Sequence, residues 1–174
     1  MLATAERYNR VARALHAAIA VLILANLLTG FFHKPLDEVL RTMPFHKASG
    51  LTILVLSLAR LGWRLTWTAP ALPQSTPAWM RLAARAVHLL FYPLMIVMPL
   101  SGWIVASASD RPLTWFGLFP VAKFAVTRGD TAYVLGHEMH ELLGWVFAAL
   151  VVLHVVAALY HHFAMRDGLL RRMW

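Results

Sequence analysis

The sequence predicts an all-α membrane protein, a four-helix transmembrane bundle with both termini on the cytoplasmic side. Three observations carry this. Of the 174 residues, 60% are hydrophobic and only 14% charged, whereas a soluble domain is nearer half apolar and a quarter charged. Four stretches stay apolar over the about 20 residues a helix needs to cross a hydrocarbon core of about 30 Å. Finally, the basic residues divide unequally between the two sets of connections, which sets the direction of the spans.

The first span runs from about Val11 to Phe32, the second from about Pro44 to Trp63. The third covers about Met80 to Ala108 and the fourth about Tyr133 to Met165, long enough to project beyond the bilayer. In lipid the backbone must satisfy its own hydrogen bonds, so helices rather than an open sheet are expected. A turn at His33-Lys34-Pro35-Leu36-Asp37 ends the first span. The connection Thr68 to Pro77 holds three prolines, which remove donors and fix φ. The longest connection, Ser109 to Thr131, carries Arg111-Pro112, Phe119-Pro120 and Arg128-Gly129-Asp130. With no internal repeat or low-complexity tract, residues 1–174 read as one domain. Arg7, Arg10 and Arg13 before an apolar run imitate a signal peptide, but the run is long and lacks a small-x-small site, so it reads as an uncleaved helix.

One side of the membrane holds ten basic residues: Arg7, Arg10, Arg13, Arg60, Arg64, Arg81, Arg85, Arg166, Arg171 and Arg172. The other holds six: Lys34, Arg41, Lys47, Arg111, Lys123 and Arg128. Glu6 and Asp167 fall on the first side and the other six acids on the second, so the sides carry +8 and 0. The richer side faces the cytoplasm by the positive-inside rule. Because the arginines lie at span ends rather than along a polar face, the net charge of +8 points to a lipid bilayer and not to nucleic acid. There is no Cys, which excludes disulfides, zinc–thiolate sites, iron–sulfur clusters and covalent C-x-x-C-H haem attachment.

Ionisable side chains inside spans are costly and are functional candidates for that reason. His16 lies in the first span, His46 at the start of the second, His88 in the third, and His140 and His154 in the fourth, with His161 and His162 near its end. For any one of them an interhelical hydrogen bond is the alternative. Spacing argues for more. His140, His154 and His161 are 14 and 7 residues apart, close to whole helical turns, so they share a face, with His140 and His154 about 21 Å apart along it. Span direction sets His46 level with His140 on the outer side and His16 level with His154 on the inner side. Such pairs suit bis-imidazole ligation of two haems in a bundle core. His88 also lies in the inner half, so the inner pair is either His16/His154 or one that uses His88.

The stretch GHEMHELLG, residues 136–144, has rival readings. A zincin helix needs H-E-x-x-H with its histidines four apart; His137 and His140 are three apart. A di-iron carboxylate bundle needs glutamates inside several helices, and the other spans hold essentially none. His140 is left as the ligand, with His137 and Glu141 supporting it or meeting headgroups, Glu138 solvated, and Gly144 open to the approach of a macrocycle.

These residues resemble the bacterial cytochrome b561 family over nearly the whole chain. The likeness rests on Leu15-His16-Ala17 after an Arg-rich start, Pro44-Phe45-His46-Lys47-Ala48-Ser49-Gly50, His88 with Tyr92, and Pro99-Leu100-Ser101-Gly102. It extends through His140-Glu141, His154, Ala158-Leu159-Tyr160-His161-His162 and Asp167-Gly168-Leu169-Leu170-Arg171-Arg172-Met173. The resemblance implies two noncovalent b haems, the inner on His16 and His154 and the outer on His46 and His140. It also implies electron transfer from superoxide outside to ubiquinone, with His88 and His161 at the quinone pocket and able to relay a proton. Lys47, with Arg111, Lys123 and Arg128, is the candidate for guiding an anion to the outer haem, although the outer side sums to zero and headgroup contact is the plain alternative. Two other functions stand beside the superoxide:quinone oxidoreductase: a dihaem subunit serving a separate dehydrogenase or periplasmic carrier, and a structural or transport bundle whose histidines only pack.

Overall fold

The computed structural model describes residues 7–71 and 76–173. Glu6 of the charge count and Leu72 to Ser75 of the proline-rich connection lie outside the described residues. Helix α1 spans Arg10–Phe31, α2 His33–Leu40, α3 Thr42–Leu65, α4 Ala78–Ser107 and α5 Thr131–Tyr160. A π turn, His161–Met165, extends α5, and a short 3-10 turn, Leu170–Arg172, follows. α1, α3, α4 and α5 with its π turn, of 22, 24, 30 and 35 residues, are long and apolar enough to cross a membrane. The chain is a multi-pass, all-α membrane protein, as its hydropathy predicts. At about 1.5 Å per residue, α5 with its π turn is far longer than a hydrocarbon core of about 30 Å, so its ends reach the headgroups.

Local chemistry sets the helix starts. The Asn9 side chain accepts from the Ala12 N–H at 2.8 Å, capping α1. The same oxygen accepts from the Trp63 indole at 3.0 Å and ties that cap to the end of α3. Between α1 and α3 the expected turn is instead the helix α2. Pro35 is tolerated there because it stands in the first turn, where backbone N–H groups have no helical partner. Arg41, at φ 49°, then reverses the chain. Asp37 caps α3 from α2, accepting from the Thr42 hydroxyl at 2.7 Å and the Met43 N–H at 3.1 Å. The Thr42 bond, aided by that N–H, holds the Asp37 carboxyl below its ordinary range.

The helices pack in sequence, α1 on α3, α3 on α4 and α4 on α5. Their common core lies at mid-depth, where Ile19 and Ile23 meet Ile53, Leu94, Met95 and Phe147. Lipid tails are as apolar as these side chains, so close fit rather than water exclusion draws the helices together. Ala48 and Ser49 on α3 are fully enclosed, and the Ser49 hydroxyl donates to the Phe45 carbonyl at 2.7 Å. Outward-facing apolar residues such as Val21, Leu82, Leu142 and Val152 are exposed, as a lipid-facing surface requires.

The long connection contains a small hairpin that the reading of helices alone does not anticipate: β1, Thr114–Trp115, pairs antiparallel with β2, Phe119–Pro120. Phe116 and Gly117 at its turn both have positive φ, the geometry of tight hairpin turns. The Trp115 indole donates to the Thr52 hydroxyl at 3.0 Å and pins the hairpin to α3. The Trp103 indole donates to the Ala122 carbonyl at 2.9 Å, which lays the rest of the connection on α4.

Candidate functional site

The ends of α1, α3, α4 and α5 on the side poorer in basic residues, called the outer side from its charge, line a cavity of about 680 Å³, within the range of small-molecule and cofactor sites. His46 from α3 and His140 from α5 project into it. Their ring centroids are 6.2 Å apart. Metal–imidazole bonds of about 2 Å put two rings on opposite sides of one metal roughly 6 Å apart, so this spacing fits a shared iron.

Each ring is held from the neighbouring helix. His46 Nδ1 lies 3.1 Å from the Asn26 carbonyl and 3.3 Å from the Thr29 hydroxyl. His140 Nδ1 lies 3.1 Å from the Met98 carbonyl and 3.2 Å from the Ser101 hydroxyl. A carbonyl only accepts, so at His140 Nδ1 carries the proton and Nε2 keeps a free lone pair, the state a metal ligand needs; at His46 the Asn26 side-chain amide also faces Nδ1, at 2.5 Å. Glycine makes the approach possible. A Cβ at Gly30 would stand 3.0 Å from His46 Cε1, and one at Gly102 would stand 2.8 Å from His140 Cε1.

On the inner side, His154 of α5 meets two other histidines. Its ring centroid is 6.3 Å from that of His16 on α1 and 5.7 Å from that of His88 on α4. Phe91 stands edge-on to the same ring at 5.6 Å. The two pairs expected from depth, His46 with His140 and His16 with His154, are therefore both brought ring to ring, and His88 joins the inner one.

His161 opens the π turn beyond His154. Its Nδ1 is 2.5 Å from an oxygen of Asp167, both side chains largely buried, and the other oxygen of Asp167 accepts from the Leu169 N–H at 3.1 Å. Asp167 is a partner that the histidine pattern alone does not reveal.

Lys47 and Arg128 line the outer cavity together with His137 and Glu141. Lys123 points elsewhere: its ammonium is bonded to the Ser109 carbonyl and lies 3.4 Å from that of Arg111. Of the four basic residues considered for an anion path, two reach the cavity.

Four helices long and apolar enough to cross a membrane bring histidines into ring-to-ring pairs at two levels of the bundle. Residues 7–174 match the family described as prokaryotic cytochrome b561. The chain is 33% identical over 175 residues to cytochrome b561 homolog 2 of Escherichia coli K12, covering 98% of this chain and 92% of that protein. Cytochrome b561 homolog 1 of the same organism is 29% identical over 155 residues, 89% and 87% of the two chains. A probable superoxide oxidase, CybB, of Yersinia pestis is 35% identical over 132 residues, 74% of this chain and 72% of that one. The chain belongs to the prokaryotic cytochrome b561 family. Membership implies b-type haem and oxidoreductase-type electron transfer, and the ring spacing and cavity of the outer site fit such a group.

Proposed function

We propose that this protein is a superoxide:quinone oxidoreductase of the bacterial inner membrane, with both termini cytoplasmic. His46 and His140 hold an outer b haem, and His16 and His154 an inner one. The observation that carries this reading is the equal ring spacing of the two pairs, 6.2 Å and 6.3 Å, on helices that set them about 20 Å apart in depth. When bound, the haems supply one-electron carriers from one face to the other. Two superoxide ions give two electrons and leave as dioxygen, and quinone takes both electrons and two protons to become quinol.

The chain's own residues manage the anion and the protons. Lys47 and Arg128 at the outer cavity offer positive charge to an approaching anion. On the inner side His88, beside His154, lines the quinone pocket. His161, its Nδ1–H held by Asp167, presents Nε2–H to a quinone oxygen as a proton donor. The name of the Yersinia pestis relative supports superoxide as the donor.

The equal numbers of basic and acidic residues on the outer side favour a second reading, a dihaem subunit that takes electrons from a partner protein. Superoxide added to the purified, haem-loaded, oxidised protein separates the two. Growth of the reduced α-band, followed by quinone-dependent reoxidation, is expected; haems that stay oxidised under superoxide would establish the subunit reading instead. The α-band itself, after dithionite, distinguishes either from a bundle without haem.

A further inference from the structure

Helices α1 and α4 carry the same three-position device at the outer site. In N-L-L-T-G, residues 26–30, and M-P-L-S-G, residues 98–102, a carbonyl is followed at the third position by a hydroxyl and at the fourth by glycine. Asn26, Thr29 and Gly30 surround the ring of His46; Met98, Ser101 and Gly102 surround that of His140. Each helix offers its ring a carbonyl, a hydroxyl and a glycine, and at His46 the Asn26 side-chain amide also faces Nδ1.

The proton inventory follows from the distances. The Thr29 hydroxyl donates to the Ala25 carbonyl at 2.9 Å, and the Ser101 hydroxyl donates to the Met98 carbonyl at 2.7 Å. Their own protons are thus committed within their helices, leaving each hydroxyl oxygen to accept. With iron held on Nε2, each imidazole would carry its proton on Nδ1, where a carbonyl and a hydroxyl oxygen stand ready to accept it and so hold the ring's rotation. Among the described residues, hydrogen bonds to histidine ring nitrogens involve His33, His46, His140 and His161 only. His16 and His154 have none.

We propose that Thr29 and Ser101 are positioning residues that set the ring orientation and raise the electron donation of His46 and His140, so that the outer haem has the lower reduction potential of the two. The physical link is that an imidazole donating Nδ1–H to a good acceptor becomes a more basic ligand, and a more electron-rich axial ligand favours oxidised iron. With no such bond on the inner pair among the described residues, electrons would run downhill from outside to inside. The inference rests on the outer haem site proposed above.

The test is a redox titration and low-temperature EPR of the haem-loaded protein carrying Thr29→Val with Ser101→Ala, and of Thr29→Ser, with the outer signal assigned as the one missing in His140→Ala. Wild type comes first: fewer than two haems would count against the dihaem reading and leave nothing for this inference to explain. Given two, the double variant is expected to keep both, with the low-spin g values of the outer haem displaced. Its reduced-to-oxidised ratio at fixed potential should rise severalfold, where tenfold corresponds to about 59 mV for one electron. Thr29→Ser, which keeps the hydroxyl, should match wild type. Loss of the outer haem in the double variant but not in Thr29→Ser also supports the proposal. Unchanged outer potential and g values, a change confined to the inner haem, or haem loss in Thr29→Ser would each overturn it.

Discussion

His46 and His140, on helices α3 and α5, face each other across the outer cavity with ring centroids 6.2 Å apart, and each is tethered through Nδ1 to a backbone carbonyl of a third or fourth helix. This relationship makes the ligand roles open to direct test. His140→Ala should lose one haem of two, halving the reduced α-band per protein while the inner signal persists. His88→Ala should keep both, because His16 is the proposed partner of His154. One haem lost in His88→Ala, with both kept in His16→Ala, would reverse the inner assignment.

Gly102→Ala puts a methyl 2.8 Å from His140 Cε1, closer than real contacts allow, whereas Gly30→Ala reaches 3.0 Å from His46 Cε1. The ring must turn or the helices must part. The measured quantity is outer-haem occupancy after purification. Gly102→Ala should lower it severalfold and Gly30→Ala less; equal, full occupancy in both would show that the rings have room.

On the inner side the His161–Asp167 pair predicts a split between two rates. Positioned proton donors contribute about 10²–10⁴-fold, so His161→Ala should slow quinone-dependent reoxidation by about a hundredfold. Asp167→Asn, which keeps an acceptor but removes the charge, should slow it by about tenfold. Reduction of the haems by superoxide should be unaffected in both. Equal slowing of both half-reactions would show that the pair is structural.

Lys47 borders the outer cavity. Lys47→Gln should reduce the rate of haem reduction by superoxide a fewfold at low salt, and raising ionic strength should narrow the gap, since salt screens steering. Stopped-flow absorbance checks this; a salt-independent difference would point to packing instead.

Asp37 gives a pH dependence outside the membrane. Its carboxyl titrates lower in the folded protein than in the unfolded chain because of the Thr42 hydroxyl and Met43 N–H. Its contribution is therefore complete above the ordinary carboxylate value near 3.8 and is lost as pH falls through the lower folded value. Amide exchange at the start of α3 should quicken over that interval in wild type. In Asp37→Ala it should be fast at every pH.

The sequence made some of this plain and hid the rest. Spans were readable because about 20 apolar residues in lipid have few ways to satisfy their backbone. The histidine pairs were readable because a rigid helix converts residue number into depth. α2 was not, since Pro35 reads as a break until its place in a first turn is known. The hairpin at Trp115 was hidden for a different reason, because its anchor, Thr52, lies on a distant helix. The repeat of T-G and S-G at residues 29–30 and 101–102 was visible but meaningless without the rings beside it.

By itself, then, the sequence determined an all-α membrane bundle, the place of each histidine along its helix and the exclusion of thiolate chemistry, because hydropathy, helical rise and the absence of cysteine are properties of the chain alone. Tertiary structure decided which groups meet the ring nitrogens of His46 and His140, that His161 leans on Asp167, and that both His16 and His88 reach His154. Those facts depend on side chains from different helices meeting within hydrogen-bond or ring-contact distance, and helix rotation and crossing angle, set by packing, are not written in the order of residues.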